Sequence, residues 1–350
     1  MAYGLIQNTT LQSIADAIRQ KNESSDTYKP GEMAAAILGI TTGEPDWTEL
    51  GYEDAPDSVL NAFNYAKNIK DNWTVGSHSN QFKDDKKLYF FPSGLDLMGT
   101  NSYGDMFRSS NLMYIPPITL GFTSGSYGNT SLAGMFRSTY IEEITILGVK
   151  NTEGTDDSHY YNDCFNGCKN LKVANINSNP KLGVPSMFYD CPSLTTVTGL
   201  NTTGCTSFND MFYGCSSLVN LPLLDTSSAT NVKEMFKGCS SLVTAPNLDL
   251  SNITSTGGQS IFNGCTALEN VPIYNVPKVT NMNMIFGGCP NLTDTSRDNI
   301  LQMCVGATAY TGAKTLQALG FSNSSYSAAS WQALPHYQDF IDAGWTIGYS

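Results

Sequence analysis

From residue 82 to residue 295 the apolar and polar positions follow one recurring order. Two adjacent apolar residues, the second a phenylalanine, are followed by two polar or small positions, a small residue, two more polar positions and a leucine. The phenylalanines stand at Phe107, Phe136, Phe165, Phe188, Phe212, Phe236, Phe262 and Phe286, 23 to 29 residues apart. A period of this length predicts a solenoid, because each unit is too small to bury its apolar side alone and must stack on its neighbours. After each leucine comes a short apolar stretch, such as Leu218 to Asp225 or Leu242 to Asp249, and then a Ser/Thr/Asn segment. The reading is strand, turn, and a helical or irregular return in every unit.

Aligned on the phenylalanine, the clearest units read Met211-Phe-Tyr-Gly-Cys215-Ser-Ser-Leu218 and Met235-Phe-Lys-Gly-Cys239-Ser-Ser-Leu242. The core columns pair Phe165 with Cys168, Phe188 with Cys191, Phe212 with Cys215, Phe236 with Cys239, Phe262 with Cys265 and Phe286 with Cys289. Ser110 and Thr139 take the cysteine column in the two earlier units, and a worn copy starts at Phe82. Equivalent side chains on neighbouring strands lie roughly 4.7 to 4.9 Å apart, wider than the ~3.8 Å Cβ separation a disulfide wants. A ladder of buried thiols is therefore favoured over disulfides. A zinc site is disfavoured, since Cys164 and Cys168 have no second cysteine pair or histidine nearby in sequence. Cys205 and Cys304 fall outside the column and are read as ordinary buried thiols.

The flanks have helical rather than repeat periodicity. Leu11, Ile14, Ala15 and Ile18 share one helical face, with Thr9 and Gln12 as a capping box. Pro30 starts a second helix through Met33 and Ile37. This hairpin, 1–45, is too short in its apolar stripe to stand alone and needs a partner. The turn-rich Thr41 to Asp46 marks a boundary. Asp57 to Asn72, with Val59, Leu60, Phe63, Ala66 and Ile69 on one side, predicts a helix that caps the first unit, so 46–81 forms an N-terminal cap and 82–295 the repeats. In 296–350, helices are expected at Ser296 to Met303 and Gly312 to Leu319, with Trp331, Phe340 and Trp345 covering the last unit.

Composition narrows the function. The chain is 41% hydrophobic but only 14% charged, against roughly 25% in ordinary globular proteins, so Asn, Ser, Thr and Tyr must supply the polar surface. Net charge is −12, which repels nucleic acid. No run approaches the roughly 18 apolar residues of a membrane span, so no membrane insertion is expected. Met1 to Gln20 has no basic start followed by an apolar run, so no export signal is expected either.

Catalytic motifs are scarce. His78, His159 and His336 are far apart, and no phosphate-binding loop, nucleophile elbow or dinucleotide fingerprint is present. The neighbouring acids Glu142/Glu143 and Asp156/Asp157 are read as solvated surface rather than a glycosidase pair. Asp225 and Asp249 are read as turn residues. No catalytic residue, cofactor or metal is expected. Binding candidates lie in two places. One is the pair of insertions, Gly121 to Thr130 and Lys150 to Asn162, rich in the residues that recognition loops favour, among them Tyr127, Asn129, His159, Tyr160 and Tyr161. The other is the ladder of Asn220, Thr244 and Asn270, at one offset after the repeat leucine; sequence leaves open which way it faces, because a one-residue slip in register inverts a strand.

The Met-Phe-x-Gly-Cys-Ser-Ser-Leu motif, followed by Leu-Pro-x-Leu-Asp-Thr-Ser and Thr-Asn-x-x-x-Met-Phe, resembles BspA-type leucine-rich repeats. The resemblance covers about Phe82 to Asp294. It implies an α/β repeat fold: a right-handed leucine-rich-repeat solenoid with a parallel β-sheet face, a small helical N-terminal segment and helical caps. Leu11 to Ile40 and Tyr337 to Tyr349 are similar to the ends of phage tail and baseplate proteins. The resemblance therefore implies a non-enzymatic phage tail protein on the virion, a homo-oligomer attached through 1–45 to other tail proteins and binding a bacterial surface polysaccharide or protein. The alternatives are a bacterial cell-surface adhesin, a purely structural virion protein, or a polysaccharide-degrading tail enzyme.

Overall fold

The computed structural model describes residues 57–74, 76, 78–95, 97, 102–122, 132–151, 161–180, 183–254 and 256–348. The hairpin expected at 1–45 lies outside them. The fold is α/β, with a four-stranded parallel sheet and few helices. Helix α1 (Asp57–Asp71) precedes strands β1 (Ile118–Phe122), β2 (Glu143–Asn151), β3 (Val173–Ser178) and β4 (Thr196–Leu200). A 3-10 turn at Thr256–Gly258 and helices α2 (Asp294–Gly306), α3 (Ala328–Gln332) and α4 (Tyr337–Asp342) follow. The strands pair in chain order, and each unit's strand meets the equivalent positions of the next: Thr145 opposite Asn175, and Asn175 opposite Thr198.

The core runs through every unit as a stack of phenylalanine rings. Centroids of Phe136, Phe165, Phe188, Phe212 and Phe236 are 5.3, 5.2, 5.5 and 5.6 Å apart in turn, with planes within 11° of parallel. The stack reaches back to Phe82 and forward through Phe286 to Phe321, and all of these rings are buried. The positions around each phenylalanine explain the precision. Two residues before it the backbone is left-handed, at Asp105, Asp163, Asp210 and Glu234 with φ of 54° to 57°, and two residues after it a glycine often repeats that turn, as at Gly214 and Gly238. The alternation aims N–H groups at the next unit. Asp210, Phe212 and Gly214 donate to the carbonyls of Lys233, Met235 and Lys237 at 2.9, 2.9 and 2.7 Å, so the turns are laddered much as strands are.

All nine cysteines are buried and unbridged. In the column, each Sγ donates to the carbonyl of the preceding unit's phenylalanine: Cys191 to Phe165, Cys215 to Phe188, Cys239 to Phe212 and Cys265 to Phe236, each at 3.1 Å. In the column position at Thr139, Oγ1 donates to the carbonyl of its own unit's Phe136 at 2.8 Å, so the hydroxyl turns back on its own unit where the thiols reach the preceding one. Burial pushes these thiols up, Cys168 to about 11 and Cys289 to about 12; outside the column, burial takes Cys205 to about 12.

Two expectations are corrected. Strands do not recur in every unit: at Asn220, Thr244 and Asn270 the ladder shrinks to single parallel bridges. Pro222, Pro246 and Pro272 stand two residues beyond, and a proline has no N–H to give a ladder. The helix expected over Gly312 to Leu319 is instead a further turn, with Thr315 bridged to Thr346 and Phe321 stacked 5.9 Å from Phe286. Gly320, at φ 100°, allows it, because a Cβ there would meet Gly287 Cα at 2.4 Å. The other ends agree with the sequence pattern. In α1, Ala62 and Ile69 are buried and the Tyr65 hydroxyl donates to Asp85 at 2.5 Å. Trp331, Phe340 and Trp345 are buried, and Arg297 of α2 lies over the rings of Tyr326 and Trp331 at 5.0 and 5.3 Å.

Three outcomes are expected. Phe212→Ala removes a ring sandwiched on both faces and should cost about 3 to 5 kcal/mol, read from the urea midpoint; Phe236→Ala should cost the same within error. In native protein at pH 8 none of the nine thiols should react with a disulfide reagent within minutes, and all nine should react in guanidinium; a fast native equivalent would contradict the burial. Met284, left-handed at φ 57° and partly exposed, should gain about 0.5 to 1 kcal/mol as Met284→Asn, seen as a raised melting temperature.

Candidate functional site

The strand side of the stack brings the second group of candidates together. Asn220, Thr244 and Asn270 all lie exposed on it, Thr196 being bridged to Asn220 and Thr244 to Asn270. Alternation in β3 explains the facing: Ala174, Ile176 and Ser178 point inward, and Asn175 and Asn177 outward. Side-chain bonds join some neighbours in this row and in the row two residues further along each strand. Asn175 Nδ2 donates to Thr145 Oγ1 at 3.4 Å, Thr198 Oγ1 to Asn175 Oδ1 at 2.5 Å, and Asn270 Nδ2 to Thr244 Oγ1 at 3.4 Å. Sequence reasoning passed over Thr145, Asn175, Thr196 and Thr198. Counting two and four residues past each repeat leucine would have found the last three.

The insertions contribute less. Tyr127, Asn129, His159 and Tyr160 lie outside the described residues. Tyr161 is described and is wholly buried, which removes it from any binding surface. Its position, four before Phe165, matches that of Tyr103, Leu132, Val184, Phe208 and Val232 before their own phenylalanines, and all of these are core. The aromatic-rich loop composition concealed that column.

A second polar arrangement went unread in the sequence. Just after their phenylalanines, Tyr189 and Tyr213 stack at 4.6 Å, and the Lys237 ammonium sits 5.2 Å from the Tyr213 centroid while pairing with Glu234 at 3.1 Å. Partial burial, then the neighbouring Tyr213, Asp190, Asp210 and Glu234, push the Tyr189 hydroxyl up. The rings cover one another's faces, so this ridge presents edges and charges to solvent.

Asp156 and Asp157 lie outside the described residues, and the other carboxylates read as surface or turn groups occupy such places. Glu142 pairs with Lys172 at 2.7 Å, while Glu143 stands exposed on the sheet. Asp225 Oδ1 accepts from the Ser227 backbone N–H at 3.0 Å and hydroxyl at 2.7 Å, which holds its carboxyl below the usual range. Asp249 does the same with Ser251. The residue after Asp225 had no assigned role in the sequence, yet buried Thr226 both donates to Asp249 O at 3.0 Å and accepts from Asp249 N at 2.8 Å. Thr202 repeats this toward Asp225, so the threonines tie unit to unit.

His78 is buried against Trp73, with centroids 4.3 Å apart, and burial lowers its pKa. His336 pairs with Asp298 at 2.7 Å. Among the described residues no group of three His, Cys, Asp or Glu side chains could hold a metal ion, and no helix is long and apolar enough to cross a membrane.

No curated protein and no solved structure matches the chain. Residues 182–299 match a family described as "Mycoplasma protein of unknown function, DUF285", which in other bacteria is associated with BspA-like repeat proteins. The matched segment includes the units that carry Asn220, Thr244 and Asn270.

Proposed function

We propose that residues 82–295 form a right-handed solenoid of BspA-like leucine-rich repeats, and that the protein is a non-enzymatic phage tail component that binds a receptor on the bacterial surface. The observation that carries this reading is the continuous stack from Phe82 to Phe321, which lays equivalent exposed positions side by side along many units. A long, shallow and repetitive surface suits an extended or repeating partner better than a small substrate. The resemblance of Leu11 to Ile40 and of the C-terminal residues to tail proteins supports attachment to a virion through the N-terminal segment and assembly as a homo-oligomer. The family matched by residues 182–299 favours a second reading, a bacterial cell-surface adhesin built on the same repeats.

The test is capture of intact cells and stripped walls of candidate Gram-positive hosts by the full chain and by a shortened chain beginning at Asp46. Both should bind, with the repeats sufficient. Loss of binding in the shortened chain alone would move recognition to residues 1–45. Failure of both on every host, with the full chain still joining tail components, would replace receptor binding by a structural role. Immunogold labelling separates the two locations: label on tails supports the virion, and label on bacterial envelopes without phage supports the adhesin.

A further inference from the structure

The strand side carries more than the polar row. One residue before Asn220 and Thr244 stand Val219 and Val243, 52% and 41% exposed. Three residues after Asn220 and Asn270 stand Leu223 and Ile273, 93% and 53% exposed, with Asn247 at the same offset between them. Five of the seven large apolar side chains exposed among the described residues lie on this side: these four and Leu147 of β2. Single exposed apolar residues are ordinary, but side chains lined up on successive units form a surface that gains by being covered.

The same strip is almost without charge. Counted from the repeat leucine, residues 194–200, 218–224 and 242–248 contain no Asp, Glu, Lys, Arg or His, and residues 268–274 contain one, the exposed Glu269, in a chain of net charge −12. A polyanion is repelled by the whole molecule, and a basic partner finds only Glu269, at one end of the strip, to pair with. An uncharged partner is the one that covers the three charge-free units and meets Glu269 only at the edge of the strip, where the ion keeps its water. The partner must also satisfy amides. Asn220 and Asn247 make no side-chain hydrogen bond to another described residue, so their donors and acceptors are open to a ligand.

Sugar rings combine these needs, since each has an apolar C–H face bordered by neutral hydroxyls. The repeat supplies the pitch: the rings of Phe188, Phe212, Phe236 and Phe262 step by 5.5 to 5.6 Å, close to the advance of one hexose in an extended chain. We infer that this strip binds an uncharged polysaccharide laid across the units from Thr196 to Asn270. Its C–H faces rest on Val219, Leu223, Val243 and Ile273, and its hydroxyls bond Asn220, Thr244, Asn247 and Asn270. The assignment rests on the host-surface reading and gives that reading its ligand class.

The experiment is affinity electrophoresis of the full chain through gels holding dextran, mannan or hydroxyethylcellulose, with hyaluronate and polyphosphate as charged controls, alongside whole-cell capture. At least one neutral polymer should retard the protein, independently of salt, and neither polyanion should. N220E/T244E should weaken retardation by at least about tenfold and Leu223→Ala by a few fold, while Tyr213→Ala on the tyrosine ridge should leave it unchanged. All positions are at least partly exposed, so unchanged thermal melts establish that the variants are folded. Full retardation of N220E/T244E, or retardation by the polyanions alone, overturns the assignment. Self-association abolished by the same double substitution, with no polymer bound, assigns the strip to a second copy and also overturns it. Cells captured with no neutral polymer bound leave the host-surface reading standing and remove this one; neither captured removes both.

Discussion

Everything in this structure depends on one ring meeting the next at the same height in successive units. A phenylalanine buried alone in a unit of about two dozen residues would have apolar neighbours on too few sides. Stacked at 5.2 to 5.6 Å on both faces through the central units, it is fully enclosed. The stack tolerates little variation in the path of the chain, and the backbone around each ring is correspondingly constrained. Left-handed residues on both sides turn the ring inward and point N–H groups forward. The thiol three residues on closes the arrangement by donating back to the previous phenylalanine's carbonyl. Apolar burial and hydrogen bonding thus enforce the same register.

That coupling explains which parts of the fold were legible in the sequence. The phenylalanine and cysteine columns, the helix at Asp57–Asp71 and the buried tryptophans near the C-terminus all follow from apolar spacing. The left-handed position before each ring was hidden, because Asn, Asp, Gly, Ser, Glu and Met all occupy it and only its counterpart after the ring is often glycine. Phe321 was hidden by distance: α2 intervenes and lengthens its interval from Phe286 to 35 residues. The strand stretches were read too generously, since the prolines that end the ladder looked like ordinary turn punctuation. Of the candidate site, the offset that aligns Asn220, Thr244 and Asn270 was readable but its outward facing was not, because facing depends on register. Tyr161 misled because its local composition resembles a recognition loop while its place in the period belongs to the core.

The two halves of the stack solve the same problem differently. In β1 to β4 neighbouring units are joined by extended strand pairing as well as by the laddered turns. From Asn220 onward pairing falls to single bridges, and Thr202 and Thr226 carry part of the connection by exchanging two hydrogen bonds with the backbone of the next unit. A threonine hydroxyl can donate and accept at once, which lets a buried polar side chain be satisfied in a segment with little regular structure. The exposed side of these proline-containing units is consequently freed from strand alternation, and Leu223 and Ile273 come to lie outward where a regular strand would have placed the residue before them.

Repetition also constrains charge. Any column repeated along the stack sets like side chains beside one another, and like charges directly opposite on neighbouring strands are destabilising. The chain answers in two ways. In several places charge used between units is met by the opposite sign, as in Lys83 with Asp105, Arg137 with Asp163 and Lys172 with Glu142, although Asp225 and Asp249 stand in one column. Elsewhere it is omitted in favour of Asn, Thr and Ser, which is why only 14% of the residues are charged. Stacking alone would be satisfied by a wholly polar exterior, however. It does not require Val219, Leu223, Val243 and Ile273 to face water, and their exposure costs solubility without adding to the core. A surface nearly free of charge, yet apolar beyond what the repeat demands, is the combination that a neutral sugar chain would use.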